Sequence, residues 1–397
     1  MPYMMDYLEK QLAPFEELEF NILDATALAQ ISMIHAIDTM PPLQDAPKEK
    51  GLRALFKPHH DLGIHFIDML RAEYFPTMFG NLLSSSKAKN DLYGLAASPR
   101  FREMRALNYQ SVFDTNKEVQ FGAMTFVYKN LFTCVAFRGT DASITGWRED
   151  FNMAFEMPVP AQDLAVQYLQ AVASQRHLPS TLYIVGHSKG GNLAEYAALK
   201  CGKKIQKRIA AIYNLDGPGF KPDTFTNKDY KPLKNTLHKV VPEESMVGIM
   251  LRSEAPTRVA MSNAKGFDQH SAFTWQINDE LTDYVYLPQL PAATQELATT
   301  LHEWLSSYDD ASREQIVGAF FDAIEISGAQ NPVEILNGGT KGLKMLFDAS
   351  RKLDKPERTT LINAARSFVK VLSQNATGSL GVAASAINAI VDKLPKG

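Results

Sequence analysis

The hexapeptide Gly186-His187-Ser188-Lys189-Gly190-Gly191 constrains this chain more than any other stretch. It stands between an apolar run that reads as a strand, Leu182 to Val185, and a segment of helical periodicity, Leu193 to Leu199. A backbone that passes from strand to helix so abruptly leaves no room for side chains beside the turn, a demand Gly186 and Gly190 meet. The turn projects the Ser188 hydroxyl outward, and the helix that follows aims its first N–H groups and positive dipole end at the same point. The Lys189 N–H is then the natural first donor to an oxyanion. Two plainer readings compete. A glycine-rich turn can simply pack tightly, and a nucleotide loop would need GxGxxG, which is not matched.

The rest of the chain supplies the setting. Met124 to Tyr128 and Phe132 to Phe137 read as two strands joined at Lys129-Asn130-Leu131. Helical periodicity over Ala161 to Ala173 precedes the strand at Leu182, and another strand, Ile209 to Leu215, follows the helix at Leu193. Strand, helix, strand at this spacing predicts a parallel sheet. The residues before Phe121 look mostly helical, with an apolar pattern through Leu23, Ala27, Ile31, Ile34 and Ile37 that breaks at Met40-Pro41-Pro42. Beyond Leu290 helical stripes return, among them Leu297, Leu301 and Leu305, then Ile316, Phe320 and Ile324, then Leu361, Ala365, Phe368 and Leu372, and last Ala383, Ile387, Ile390 and Leu394. With 397 residues, two to three domains are the prior. The expected division is an N-terminal helical part of the core domain (1–120), an α/β core with a mostly parallel central sheet (121–290) and a helical C-terminal region (291–397).

Charge and composition exclude several classes. Lys plus Arg number 41 against 44 for Asp plus Glu, a net charge of −3, so a nucleic-acid partner is not expected. Cys134 and Cys201 offer neither a disulfide framework nor CxxC spacing, and a reducing compartment fits. Asp6 and Glu9 stand where a secretory leader needs a basic start and an apolar run, so a cytoplasmic location is expected. The uncharged stretch from Val371 to Val391 is interrupted by seven Ser, Thr, Asn and Gln residues and reads as helix and loop. His59-His60-Asp61 with His65 lacks HExxH order, Asn337 to Gly342 lacks P-loop order, and neither a metal nor a cofactor is expected.

A strand-end loop, Phe137-Arg138-Gly139-Thr140, can provide a second oxyanion donor. Thr140 offers its N–H and its hydroxyl, and Asp150 in Trp147-Arg148-Glu149-Asp150 is a candidate acceptor to orient that hydroxyl. FRGT with a downstream WxxD and GHSxGG resembles the fungal-type, or class 3, lipases. More closely, the chain resembles a bacterial lipase-like α/β-hydrolase family, Mbeg-one-like, whose substrate is not established. The words that carry this are Phe137 to Asp141, Gly146 to Asn152, Gly186 to Asn192, Asn214 to Phe220, and Gln269-His270 with Trp275. Phe20-Asn21 with Asp24 and Pro99 to Phe101 extend it over roughly residues 1 to 290. The resemblance implies an α/β-hydrolase fold, a serine nucleophile and an acyl-ester substrate. Lys189 departs from it, since class 3 lipases usually carry leucine there. A cation beside the nucleophile is expected either to favour an acidic head group or to bind nothing.

In this fold the acid and then the histidine follow the serine along the chain, which leaves His238, His270 and His302. His302 lies in a helical stripe and His238 in a strand. His270 sits in a predicted loop from which a mobile imidazole can reach the serine, and the resemblance selects the same residue. His187 beside the nucleophile is expected to point into sheet-helix packing. For the acid, Asp216 at a strand end is favoured for its rigidity over Glu243 or Glu244, although class 3 lipases tend to draw the acid from that later loop.

The expectation is a serine hydrolase cleaving carboxylic esters, with Ser188, His270 and Asp216 as triad, Thr140 and Lys189 as oxyanion donors, and Asp150 behind Thr140. The alternatives are a thioesterase, amidase or acyltransferase on the same triad, or a non-catalytic scaffold presenting the helical tail to a partner. The expected ligand is a small acyl ester or lipid. Peripheral membrane contact is a lesser alternative because the tail lacks a strongly basic face, and the sequence assigns no oligomeric state.

Overall fold

The computed structural model describes residues 1–43, 63–329, 332–338 and 340–378, with isolated positions 380, 381, 385 and 387 beyond them. His59, His60 and Asp61, and most of the last helical stripe, lie outside the described residues.

The N-terminal part carries helices α1 (Met4–Lys10), α2 (Ile22–Ile31), α3 (Phe75–Phe79) and α4 (Ser85–Ala97), and a short strand β1 (Ile64–His65). Asn21 starts α2, its side chain accepting from the N–H groups of Leu23 and Asp24 while the Asp24 carboxylate takes the Asn21 N–H, a reciprocal cap. Asp24 also pairs with Arg100 at 2.7 Å, both side chains fully buried, and accepts from Tyr7 at 2.6 Å. The Phe20-Asn21, Asp24 and Arg100 motifs thus pin the helices together.

Strands β2 (Arg105–Asp114), β3 (Val119–Tyr128) and β4 (Phe132–Phe137) follow, then α5 (Ile144–Asn152), α6 (Pro160–Ser174), β5 (Leu182–His187), α7 (Lys189–Lys200), α8 (Lys203–Gln206), β6 (Ile209–Leu215), α9 (Asn227–Tyr230), β7 (Leu237–Pro242), β8 (Thr257–Ala260) and β9 (Tyr286–Leu287). Among the described residues β1 to β9 form one nine-stranded sheet in sequential order.

The expectation of a mostly parallel sheet is corrected. β4 to β8 pair parallel, but β1 to β4 and the β8–β9 edge pair antiparallel, which makes a mixed α/β sheet. The cause lies in the connections. The turns β2–β3 and β3–β4 are too short for a crossover helix, so those strands must reverse direction. β2, ahead of Phe121, also went unread as a strand. Asn108 breaks its pattern with a φ of 58°, and the register with β3 shifts between Leu107 and Gln110.

Both faces are covered. Along β4, Cys134 and Ala136 face the core under α1, α2 and α4, while Val135 and Phe137 face the core under α6 and α7. The C-terminal helices are α10 (Ala292–Ser306), α11 (Asp310–Ser327), α12 (Pro332–Asn337), α13 (Thr340–Ser350) and α14 (Lys355–Asn375); α10 packs on α14, and α11 to α14 add a third core that meets Trp147 of α5 and Phe267. Of the 337–342 stretch, read as a loop, Asn337 ends α12, Gly338 is in a turn, and Thr340 to Gly342 are already helical in α13. Among the described residues no helix is long and apolar enough to cross a membrane.

Candidate active site

Ser188 sits between β5 and α7 with φ 58° and ψ −132°, a strained conformation for any residue but glycine. Its neighbours show why glycine flanks it. A Cβ on Gly186 would lie 2.0 Å from the Gly190 oxygen, and one on Gly190 would lie 2.2 Å from the Phe137 oxygen. The half-buried Ser188 lines a cavity of about 520 Å³ with His270, Thr140 and Trp147. α2, α4, α5, α12 and the loop after β8 all contribute walls.

Asp216 follows β6 at a φ of 49° and is fully buried. One carboxylate oxygen meets His270 Nδ1 at 2.6 Å, and the other accepts from Ser245 Oγ at 2.6 Å and the Gly248 N–H at 3.0 Å. Gly248 permits this approach, because a Cβ there would fall 2.3 Å from that oxygen. The other two candidate acids are engaged elsewhere. Glu243 accepts from the Ser262 N–H at 3.2 Å, and Glu244 from the Gly266 N–H at 2.5 Å. His238 stacks on Tyr213, and His302 bonds the Leu251 carbonyl.

His187 differs from expectation. It lies ring to ring with His270 at 4.6 Å, and its Nε2 is 2.6 Å from the His270 carbonyl. Burial, together with the neighbouring His270, drives its pKa down to about 3. The ring is therefore neutral at pH 7, and the Nε2–H donates to that carbonyl. Trp275 Nε1 donates to the preceding carbonyl, that of Gln269, at 2.8 Å. Consecutive carbonyls of the loop are thus clamped, so the mobile imidazole expected from the sequence is instead held in place.

Lys189 is also corrected. Its ammonium does not face the cavity. It is buried beneath the turn, ion-paired with Glu149, bonded to the Gln120 carbonyl at 2.9 Å and 3.5 Å from Asp150. The long stem threads inward because α7 directs position 189 at α5. Glu149 in turn accepts the N–H groups of Gln120 at 2.9 Å and Ala161 at 2.8 Å. Only the Lys189 backbone N–H, free of an intrahelical partner at the first position of α7, is left for the cavity.

The Phe137 to Thr140 loop abuts the turn, a Cβ on Gly139 falling 3.3 Å from Ser188 Cβ. Thr140 Oγ1 donates to Asp150, so its proton is committed and the backbone N–H is the donor that remains. Burial raises the Asp150 pKa to about 6 against the opposing pull of Lys189.

Several cavity residues escaped the sequence reading, among them Met33, Gln30 and Lys87. Met33 accepts the Gly139 N–H on its sulfur at 3.2 Å, and Gln30 and Lys87 line the wall. Gln30 and Met33 stand between members of the Leu23 to Ile37 pattern and Lys87 lies in a stretch without a motif, so nothing local marked them. His65, of the candidate metal cluster, bonds the Met104 carbonyl, and among the described residues no three metal-ligating side chains converge.

Comparison with solved structures finds the crystal structure of M37 lipase, 17% identical over 41% of this chain and 62% of that one, with a TM-score of 0.28. The chain thus spans less than two thirds of that lipase. Comparison with curated proteins gives no match. The model of the Mbeg1-like family matches residues 95–322, from the end of α4 to within α11 and through every residue of the Ser188, Asp216 and His270 arrangement. That match takes in more than half of the 397 residues, and the chain belongs to the Mbeg1-like family.

Proposed function

We propose that this protein is a serine hydrolase of the α/β-hydrolase type that cleaves carboxylic esters through an acyl-enzyme. The observation that carries the reading is the 2.6 Å contact of Asp216 with His270 Nδ1 in a wall of the cavity that Ser188 also lines. The order along the parallel strands supports it, with serine after β5, acid after β6 and histidine after β8. Asp216 holds the imidazole in the tautomer whose Nε2 is free to accept a proton. His270 takes the Ser188 proton as Oγ attacks the ester carbonyl. The N–H groups of Lys189 and Thr140 hold the oxyanion, with Asp150 fixing Thr140. His270 then protonates the departing alcohol, and a water activated by the same imidazole releases the acid.

A fluorophosphonate probe tests this reading. It should label the wild-type protein and leave Ser188→Ala unmodified, and hydrolysis of a p-nitrophenyl ester should follow the same pattern. An unlabelled, folded wild-type protein would sink the reading.

A further inference from the structure

The hydrolytic residues leave one wall of the cavity unused. Ser84 and Lys87, at the start of α4, line it. Helix α4 has 13 residues, and no side chain caps its N-terminus, so its first N–H groups and positive dipole end are open to a ligand. Lys87 Nζ stands 3.2 Å from Ser271 Oγ and 6.0 Å from the centre of the Phe273 ring, and among the described residues it pairs with no carboxylate. Among the described residues Asp268 is the one acid lining the cavity, and it is exposed and not ion-paired with Lys87. Gln30 of α2 is 7% exposed, lines the same cavity and has a buried amide nitrogen without a hydrogen-bond partner. A desolvated donor left unpaired is costly, and an acceptor oxygen from a ligand would satisfy it.

Asp268 apart, these groups offer donors or a cation. Lys87 is bonded to Ser271, which directly follows His270, the residue that delivers a proton to the departing alcohol, and this bond sets the ammonium beside the loop that carries the imidazole. We propose that the substrate is an ester whose alcohol carries an anionic group, a phosphate or a carboxylate, seated between Lys87 and the N-terminus of α4. This rests on the serine-hydrolase reading and adds the class of alcohol. The anion gains charge-assisted bonds from the ammonium and the helix N–H groups, while a neutral alcohol offers the ammonium no counter-charge.

The test compares esters of one acyl chain in matched pairs: 1-acylglycerol 3-phosphate against 1-monoacylglycerol, and O-acylglycolate against the ethyl ester. Wild type should favour the anionic member of at least one pair by about tenfold or more in kcat/KM, and the pair that responds identifies phosphate or carboxylate. Lys87→Met should abolish that ratio. Lys89→Met, whose ammonium sits over Phe75 and Tyr93, should keep it. Binding separates this proposal from the reading beneath it. In the Ser188→Ala protein, glycerol 3-phosphate or glycolate should bind, and adding Lys87→Met should weaken binding by about tenfold. A preference for neutral alcohols, or an anionic preference and binding that survive Lys87→Met, overturns the proposal. Lys87-dependent binding without fluorophosphonate labelling would uphold the anion site and sink the hydrolase reading.

Discussion

Lys189→Met removes an ammonium while keeping most of the apolar stem, and its cost can be worked from the surroundings. Both Lys189 and Glu149 have side chains 0% exposed. Without the ammonium, the Glu149 carboxylate stays buried with two backbone donors, Gln120 N–H at 2.9 Å and Ala161 N–H at 2.8 Å. Breaking a buried pair by deleting one partner costs about 3–5 kcal/mol. The two remaining bonds hold the figure to the lower end, about 3 kcal/mol. Glu149→Gln strands the ammonium instead and should cost a similar amount, about 3 kcal/mol. The double variant should fall well short of the sum, with a coupling energy of about 2 kcal/mol or more. Urea unfolding followed by tryptophan fluorescence measures all four corners of this cycle. Head-group preference among ester substrates should not change in Lys189→Met. A loss below about 1 kcal/mol accompanied by an altered head-group preference would show the ammonium facing substrate and refute the argument.

Further expectations follow from the same geometry. Asp216→Asn keeps the shape but removes the charge that fixes the imidazole tautomer, and kcat on a p-nitrophenyl ester should fall by about ten-thousandfold. Glu243→Gln and Glu244→Gln should stay within about threefold, and a larger loss from either would reassign the acid. His187, held neutral to about pH 3 from an ordinary 6.5, lets the unfolded chain bind the extra proton between those values. Its contribution is complete above pH 6.5 and is lost as pH falls, by about 1.4 kcal/mol per unit. His35, depressed to about 4 by burial and Arg138, acts in the same direction, while Asp150, raised to about 6, favours the folded state as pH falls from 6 towards 4. In urea titrations between pH 7.5 and 5, His187→Asn should flatten the slope by about one proton, and an unchanged slope would contradict a buried neutral ring. Gly190→Ala would press a Cβ to 2.2 Å from a backbone oxygen, and should cost about 3 kcal/mol or more in the same unfolding assay together with loss of probe labelling.

Local chemistry was legible where it depended on neighbours in the chain. A strand, a glycine-flanked serine and a helix within twenty residues specify the Ser188 turn, because the steric demand of that turn is met or failed by adjacent residues alone. The apolar runs of β4, β5 and β6 and the stripes of α10, α11 and α14 announced themselves for the same reason. β2 did not, since an αL residue and a register shift interrupt its alternation.

The choice among three acids was beyond local reasoning. Asp216, Glu243 and Glu244 all lie near strand ends, and only the turn after β6, with Gly248 clearing the way, aims one carboxylate at Nδ1. The same holds for Lys189, which looks like a cation at the mouth of a site until α5 is seen beneath it with Glu149. Residue type and spacing decide which elements form and where the nucleophile projects, because those follow from short-range sterics and periodicity. Which way a long side chain points, and which distant carboxylate meets which ring, depends on contacts between segments far apart in sequence, and these exist only once the sheet and its helices have closed.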